Sequence, residues 1–265
     1  MLKVDLHTHS LASHHALNSI EEILHKADQL GMSGIAITDH GPGTDNAIQI
    51  ARNQGKSYRW SDRIKGPDSH YFKVFLSRYE APKSVKTKLF KGIECNIFGL
   101  GDEIIDLPKN LVSDFDIVIA SVHPLPYIFE LQDQESIAER MILAMSAGAD
   151  IIGHPFHKSF VLDQELIVRC AAEKGVALEL NNSSLRLKKA EDSTILKMLE
   201  LAKRYDCRIS LASDAHVTNE LGSDECIQPL LRQSAFPEEL IINHSLESAC
   251  QFVDQRKKIR IERVV

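Results

Sequence analysis

The sequence lacks the cysteine pattern of a secreted protein held together by disulfides. Its five cysteines are an odd number, none forms a CxxC pair, and they are scattered among apolar residues: Cys95, Cys170, Cys207, Cys226 and Cys250. This pattern is typical of reduced thiols in the core of a cytosolic protein. We therefore expect a cytoplasmic protein without structural disulfides.

Long apolar runs are absent as well. Lys3 and Asp5 interrupt the N-terminus before an apolar segment of the signal-peptide type develops. Elsewhere, no uncharged apolar stretch approaches the roughly 18 residues that a membrane-spanning helix requires. The sequence therefore predicts neither a secretion signal nor a membrane partner.

There is also no strong excess of one charge. The 31 basic and 37 acidic side chains give a net charge of −6, which argues neither for nor against a nucleic-acid partner. A chain of 265 residues is long enough for one large α/β barrel or two small domains, and its 43% hydrophobic residues allow a sizeable core. Because no repeat, low-complexity tract or linker interrupts the chain, we expect a single domain over residues 1–265.

The feature that the sequence does contain is histidine at the ends of predicted strands. Lys3 to Leu6 alternates polar and apolar residues as a strand does, and it leads directly into His7 and His9. Side chains two residues apart on an extended chain point to the same side, so these two imidazoles can approach one divalent cation. His15 follows within a short loop.

Predicted strands and helices alternate along the chain. Strands are expected over 3–6, 35–38, 89–93, 116–122, 150–153, 176–180 and 208–213. Helices are expected near 20–30, 134–147, 163–174, 193–205, 224–233 and 245–254. Such alternation is the sign of a parallel sheet with crossover helices. Seven strands favour a closed or nearly closed (β/α) barrel over an open doubly wound sheet.

Residues 43–88 do not follow this alternation. The segment is polar and basic, and it contains the only tryptophan and three of the five tyrosines: Trp60, Tyr58, Tyr71 and Tyr79. We interpret it as a long basic and aromatic excursion with a helical turn or two between Tyr71 and Tyr79. Long excursions in compact domains are usually functional or mobile, and a solvated surface insertion is the alternative.

A histidine or a carboxylate stands at the end of six of the seven predicted strands. The set comprises His7, His9, His40, Glu94, His123, His154, Asp214 and His216, and Asn181 ends the remaining strand. In (β/α) barrels the carboxyl ends of the strands converge at one mouth, where the chemistry takes place. Histidine and carboxylate ligands without thiolate suit catalytic Zn²⁺, Mn²⁺ or Fe ions. Together with His15 there are too many ligands for one ion, so we expect two or three.

Several blocks of the sequence carry a resemblance to a known family: DLHTHSLASHHA, AITDHGP, KGIECNI, VHPLP, IIGHP, LELNNSS and LASDAH. They extend from Asp5 to His216, and through them the chain resembles the PHP (polymerase and histidinol phosphatase) superfamily, in particular its small stand-alone phosphatases. The resemblance implies a distorted seven-stranded TIM-like barrel with a trinuclear metal site at its C-terminal mouth. The interval from His40 to Glu94 is longer than in compact members of the family.

The resemblance also implies how nine ligands share three ions. One ion would take His7, His9, Glu94 and Asp214. A second would share Glu94 and add His123 and His154. The third would take His15, His40 and His216, with His14 as a less favoured substitute for His15. Glu94 and Asp214 would be the catalytic residues because they are candidates to bridge ions, and Asp214 is also a candidate for proton transfer.

Some polar residues have less direct roles. Asp5 and Asp39 are candidates to accept hydrogen bonds from the ligand imidazoles and so fix their tautomers, or they are ordinary polar residues at strand ends. Three further histidines are expected at the surface or in packing: His25, His70 and His244.

A basic turn follows the Asn-Asn-Ser-Ser block. Arg186, with Lys188 and Lys189, could grip a phosphate at the rim of the barrel or could form a solvated turn. His157 is close enough to His154 in the chain to lie near the mouth, and we interpret it as structural or substrate-facing rather than as a ligand.

These features predict a metal-dependent phosphoesterase that acts on a small phosphorylated metabolite. Metal ions about 3.5–4 Å apart can activate a hydroxide for in-line attack, neutralise the phosphoryl oxygens and stabilise the leaving oxygen. Substrate identity and oligomeric state do not follow from the sequence.

Three other functions are alternatives: a nucleic-acid 3′-end processing or exonuclease-like phosphodiesterase, an amidohydrolase and a non-catalytic metal-binding protein. The acidic ligand Glu94, the nearby His15 and the lack of a lysine at a strand end argue against an amidohydrolase.

Overall fold

The parallel strands form one sheet that curves into a nearly closed barrel. The computed structural model describes residues 1–42, 66–100, 103–107, 109–123 and 134–264. The strands in these ranges are β1 (Val4–Asp5), β2 (Gly34–Ile37), β3 (Lys88–Leu100), β4 (Glu103–Ile105), β5 (Ile117–Ser121), β6 (Ile151–Gly153), β7 (Ala177–Asn181) and β8 (Ile209–Ala212). Their order is β1-β2-β3-β5-β6-β7-β8, with parallel neighbours, and β4 pairs antiparallel with β3. The predicted seven-stranded α/β barrel is therefore confirmed.

Helices connect most of these strands. The described ranges contain α1 (Ile20–Gln29), α2 (Ser69–Arg78), α3 (Lys109–Val112), α4 (Gln134–Ser146), α5 (Gln164–Lys174), α6 (Asn182–Arg186), α7 (Asp192–Tyr205), α8 (Ile227–Ser234) and α9 (Leu246–Val264). Short 3-10 helices cover Thr218–Glu220 and Glu238–Leu240. Among the described residues, no helix has the length and apolar character needed to cross a bilayer. All five cysteines are free thiols.

Local capping sets the helix ends that the sequence predicted. Ser19 precedes α1 and forms a capping box with Glu22, since each side chain accepts a hydrogen bond from the other residue's backbone N–H. Asp163 caps the start of α5, and Gly175 ends that helix in a left-handed conformation at φ 62°.

Alternation along the strands builds an inner and an outer apolar layer. In β5, Ile117 and Ile119 belong to the core inside the barrel, whereas Val118 and Ala120 pack against the helices. Further inner residues come from the other strands: Val4, Ala36, Phe90, Ile151 and Ala177. Because side chains alternate, the inward positions nearer the mouth fall on polar residues, Glu94 and Asn96 in β3 and Glu179 and Asn181 in β7. The alternation of side chains along the strands therefore places these polar side chains at the mouth.

A side-chain amide joins the two terminal strands, β1 and β8, which do not pair directly along their first residues. The Asn243 amide Nδ2 donates to the carbonyl oxygens of Val4 (2.8 Å) and Leu211 (2.7 Å), and its Oδ1 accepts from the Leu211 backbone N–H (2.9 Å). Nearer the mouth, Thr8 and Ala215 form a parallel backbone bridge. The segments that contain β1 and β8 are therefore joined by backbone pairing at the mouth and by the Asn243 side chain further from it.

Replacing Asn243 with alanine should lower the free energy of unfolding by about 3 kcal/mol, because it leaves three buried backbone groups without partners. Urea denaturation would measure this loss. The exposed Asn219 offers a control, and Asn219→Ala should change the unfolding free energy by less than about 0.5 kcal/mol. Equal stability of the two variants would contradict the role of Asn243 in the seam.

The C-terminal helix α9 closes the end of the barrel opposite the mouth. Its Phe252 and Val253 pack into the inner core. One turn further on, Arg256 and Arg260 both contact the buried carboxylate of Asp150, which precedes β6. The sequence predicted a helix only over 245–254, and the extension to Val264 follows from this ion-pair cluster.

The region between β2 and β3 agrees only in part with expectation. The predicted helical turns between Tyr71 and Tyr79 are confirmed, since α2 covers Ser69–Arg78. The first part of the predicted excursion, residues 43–65, lies outside the described residues. The prediction that a strand ends at Glu94 is wrong, because β3 continues to Leu100 and pairs there with the unpredicted β4.

Candidate metal centre

The side chains predicted as ligands come together at the mouth of the barrel. The His9 ring lies 4.4 Å from the His40 ring and 4.3 Å from the His216 ring, measured between centroids. The His123 and His154 rings are 5.5 Å apart on the other side. These rings come from loops after five different strands, so the convergence of strand ends produces the cluster.

Glu94 lies between the two sides of the cluster. Its Oε2 atom is 3.5 Å from His7 Nε2, 3.6 Å from His9 Nε2 and 2.7 Å from His40 Nδ1. Its Oε1 atom is 3.4 Å from His123 Nε2 and 3.1 Å from His154 Nε2. The two oxygens of one buried carboxylate thus face two different sets of imidazoles.

Asp214 faces the first of these sets. Its Oδ1 atom is 3.3 Å from His9 Nε2 and 3.7 Å from His7 Nε2. Asn181 donates to the other oxygen, Oδ2, over 3.2 Å. Asp214 has a left-handed backbone at φ 55°, which non-glycine residues rarely adopt. Its backbone N–H donates to the His7 carbonyl oxygen (3.1 Å), so β1 and β8 hold this turn at the mouth.

Three overlapping groups of these residues have the spacing of metal ligands. Their ligand atoms lie within 4.8 Å of one another in the groups His7–His9–Asp214, His9–His40–His216 and His40–Glu94–His123. His9 belongs to the first and second groups, and His40 belongs to the second and third. Each group could hold a metal ion, and the groups overlap at one mouth of the barrel.

His15 lies at the outer edge of the cluster. Its ring is 4.4 Å from the His216 ring and 5.1 Å from the His40 ring, although the residue is exposed. Its neighbour His14 is also exposed, and of the two only His15 has described ring contacts with the cluster. Of these two adjacent histidines, His15 is therefore the one that borders the cluster.

Hydrogen bonds at Nδ1 set the tautomers of three imidazoles. His7 Nδ1 lies 2.6 Å from Glu179 Oε1, His123 Nδ1 lies 2.6 Å from Asn96 Oδ1, and His216 Nδ1 lies 3.0 Å from the Asp214 carbonyl oxygen. Each partner atom is an acceptor, so each Nδ1 carries the proton. The Nε2 lone pairs of these rings are then available to bind a cation.

Buried atoms without partners test whether the site fits a metal. Within the described residues, Glu94 Oε2, His40 Nδ1 and His216 Nε2 are buried and form no hydrogen bond. His40 Nδ1 and Glu94 Oε2 approach to 2.7 Å, yet they do not meet in hydrogen-bond geometry. A buried acceptor without a partner is costly, and a cation between these atoms would satisfy them. The nitrogen and oxygen donors fit Zn²⁺, Mn²⁺ or Fe.

Burial and neighbouring charges shift the pKa values of the candidate ligands, upward for His7 and His154 and downward for His9, His123 and Glu94. Burial lowers the pKa of His9 well below its ordinary value, and the neighbouring His40 and His216 lower it further. Burial alone would raise the pKa of Glu94, but His7 and His123 hold that pKa well below its ordinary value. Neutral imidazoles beside ionised carboxylates are the forms that bind divalent cations.

The residues that orient the candidate ligands were not predicted from the sequence. Glu179 accepts from His7 and from the His154 backbone N–H (2.8 Å). Asp106 accepts from the Asn96 side-chain amide (2.7 Å), which turns Asn96 Oδ1 toward His123. Their signal in the sequence is a polar residue at an inward position of an apolar strand, as at Glu179.

Asp5 and Asp39 do not act as predicted. Among the described contacts, Asp5 accepts from backbone N–H groups and from the Ser213 hydroxyl, and no imidazole donates to it. Asp39 also has no described contact with an imidazole, but it accepts from the Ser13 hydroxyl (2.7 Å), which lies 3.0 Å from His9 Nδ1. The prediction of direct bonds to ligand imidazoles is therefore wrong for both.

The three predicted substrate contacts lie in the segments that follow β6 and β7: His157 after β6, Arg186 at the end of α6 and Lys188 just beyond it. Arg186 is exposed and forms an ion pair with Glu220 (2.5 Å), whose other oxygen accepts from the His216 backbone N–H (3.4 Å). Lys188 is exposed and has a left-handed backbone at φ 56°. His157 is half-buried, and burial with the nearby charges of His154, Lys189 and Lys158 lowers its pKa to about 4.

The other three histidines lie away from the cluster. As predicted, His25, His70 and His244 are exposed.

Comparison with solved structures identifies the same barrel elsewhere. A histidinol phosphate phosphatase from Lactococcus lactis, in complex with zinc, L-histidinol and phosphate, has a TM-score of 0.51 at 18% identity, over 88% of this chain and 94% of that one. A chain of an archaeal ribonuclease P with mature tRNA has a TM-score of 0.53 at 14% identity, over 96% of this chain and 92% of that one. At these identities the likeness shows the fold alone.

Sequence comparison shows the family. The PHP domain profile matches residues 5–183. A "Probable phosphatase" of Caldanaerobacter subterraneus subsp. tengcongensis is 33% identical over 264 residues, which cover 97% of this chain and 93% of the relative. One of Aeromonas hydrophila subsp. hydrophila is 32% identical over 261 residues, covering 97% and 96%. The nine converging side chains therefore occur in a chain that belongs to the PHP domain family.

Proposed function

We propose that this chain is a phosphatase that removes the phosphoryl group from a small phosphorylated molecule with the aid of three divalent metal ions. The name "Probable phosphatase" of its relatives supports hydrolysis of phosphate ester bonds. The observation that carries the proposal is the convergence of nine ligand side chains on one mouth, with buried ligand atoms that lack hydrogen-bond partners there.

The proposed ligand sets are those that the family resemblance implies, and contacts at the mouth support them. His7, His9 and Asp214 with Glu94 form one set, and Glu94 with His123 and His154 forms the second. His15, His40 and His216 form the third, with His9 close to it. Glu94 contributes one oxygen to each of the first two sets, which suits the role of a bridging carboxylate.

The residues at the mouth would have different roles in hydrolysis. When bound, divalent cations neutralise the phosphoryl oxygens, activate water as the nucleophile and stabilise the leaving oxygen. Glu179 and Asn96 hold His7 and His123 with Nε2 toward the cluster, so that the ligands need little reorganisation. Asp214 is the carboxylate that could exchange a proton with substrate or solvent, since Asn181 already holds its other oxygen.

The rim supplies the groups that would hold the substrate. The proposed groups are Arg186, whose partner Glu220 contacts the His216 backbone, then Lys188, and His157, which lies near the charges of His154, Lys158 and Lys189. The Lys158 backbone N–H donates to the Lys189 carbonyl oxygen (2.7 Å), which joins the two loops. A cationic rim beside a cation cluster favours a phosphorylated substrate over a neutral amide.

A panel of three chromogenic substrates would test the proposal. Metal-reconstituted wild-type protein should hydrolyse p-nitrophenyl phosphate, act more slowly on bis(p-nitrophenyl) phosphate and leave p-nitroacetanilide intact. Hydrolysis should stop when a chelator removes the metal. Activity on the amide alone would contradict the proposal, and a preference for the diester would favour the phosphodiesterase alternative.

Arg186→Gln should raise the KM for a phosphate monoester about fivefold with little change in kcat. The reason is that an exposed charge contact with the substrate is worth about 1 kcal/mol. Steady-state kinetics would measure the two constants. Arg169→Gln is the control, because Arg169 lies on α5 and pairs with Glu173 at the surface. Equal KM values for the two variants would remove Arg186 from the proposed substrate site.

A further inference from the structure

Among the described contacts, helix α2 reaches the metal-ligand network through the hydroxyl group of Tyr71. The Tyr71 hydroxyl donates to Asp39 Oδ2 over 2.7 Å. The Tyr71 ring stacks on Phe75 at 6.0 Å and meets Phe72 edge-on at 5.1 Å, both within the same helix. Tyr71 therefore joins the basic and aromatic excursion to the loop that carries His9.

The Asp39 carboxylate is saturated with donors. Besides Tyr71, its oxygens accept from the Ser10 backbone N–H, the Ser10 hydroxyl and the Ser13 hydroxyl, each over 2.7 Å. Asp39, Ser10 and Ser13 are buried. A buried carboxylate with four donors is held in one orientation, so the acceptor presented to Ser13 is fixed.

That orientation decides which nitrogen of His9 carries the proton. The Ser13 hydroxyl has one proton and gives it to Asp39. It also accepts from the His40 backbone N–H (3.0 Å) and lies 3.0 Å from His9 Nδ1. Because the proton of Ser13 is already committed, His9 Nδ1 must be the donor in this contact. The Nε2 lone pair of His9 then faces Asp214, as a metal ligand requires.

We infer that Tyr71 is a positioning residue for the metal centre, acting through Asp39 and Ser13 to hold His9 in the tautomer that binds a cation. The inference rests on the proposed function in that it takes His9 as a ligand. It also gives the excursion between β2 and β3 a role. The position of α2 would affect how tightly the metal ions that His9 binds are held.

Zinc affinity of the full chain would test this inference. The probe is zinc alone, titrated in competition with a chromophoric chelator. Tyr71→Phe should weaken the tightest zinc affinity about tenfold, the lower end of the effect of partners that orient ligands. Tyr79→Phe, which removes a hydroxyl at the end of the same helix and does not contact Asp39, should bind zinc as the wild type does.

A spectroscopic measurement separates positioning from a general loss of structure. In metal-free protein with ¹⁵N-labelled histidine, long-range NMR correlations should show His9 protonated at Nδ1, and Tyr71→Phe should shift this ring toward the other tautomer. Equal zinc affinity in the two tyrosine variants, or His9 protonated at Nε2 in the wild type, would overturn the inference. A wild-type protein that binds no zinc would instead overturn the metal centre on which it rests.

Discussion

Replacing Glu94 with glutamine is expected to lower kcat/KM for p-nitrophenyl phosphate by about three orders of magnitude. The two oxygens of Glu94 face five imidazoles, and it is the carboxylate that joins the two sides of the cluster. Glutamine keeps the size of the side chain but removes the charge that a bridging ligand supplies. Bound metal ions stabilise the transition state by several kcal/mol, and each 1.4 kcal/mol of activation free energy changes the rate about tenfold.

Metal content should fall with the activity of this variant. Elemental analysis after dialysis should show fewer divalent ions per chain in Glu94→Gln than in the wild type. The matched control is Glu191→Gln, which makes the same chemical change at an exposed residue before α7. A Glu94→Gln enzyme with wild-type activity and metal content would contradict the proposed ligand sets.

Asp150→Asn should lower the free energy of unfolding by about 3–5 kcal/mol. Asp150 is buried and meets both Arg256, over 3.0 Å, and Arg260. Removing its charge leaves two buried guanidinium groups without their counter-ion, which is far more costly than losing a surface ion pair. Urea denaturation of metal-loaded protein would measure the change.

The control is the exposed residue Asp254, which lies on α9 with Arg256 and Arg260. Asp254→Asn removes one negative charge from α9 and should change stability by less than about 0.5 kcal/mol. Because the Asp150 cluster lies opposite the mouth, folded Asp150→Asn should keep the wild-type kcat. A stable Asp150→Asn protein would show that the arginines of α9 do not depend on this carboxylate.

The candidate ligands could be picked out from the sequence because each one is a local feature of the chain. His40, His123 and His154 directly follow apolar segments, and the convergence of parallel strand ends then brings them together without further information. The barrel followed from the same alternation of strands and helices. The extra strand β4 did not, since it is short and its pairing depends on β3 continuing past Glu94.

The residues that support the ligands depend on the register of the barrel. Glu179 orients His7 across 172 positions of sequence, and Asp39 reaches His9 only through Ser13. Such contacts require knowledge of which strand residues point inward. Arg256 and Arg260 were missed for a related reason, because a charged helix end usually faces solvent and only the buried Asp150 explains their burial.

The most direct test of the proposed metal centre is anomalous diffraction from crystals of the metal-reconstituted protein at the absorption edge of the added metal. Three adjacent peaks are expected at the mouth, about 2.0–2.2 Å from nitrogen and oxygen atoms of the nine ligand residues. Absence of peaks at the mouth, in crystals of protein that hydrolyses phosphate esters at the full rate, would contradict the proposed centre.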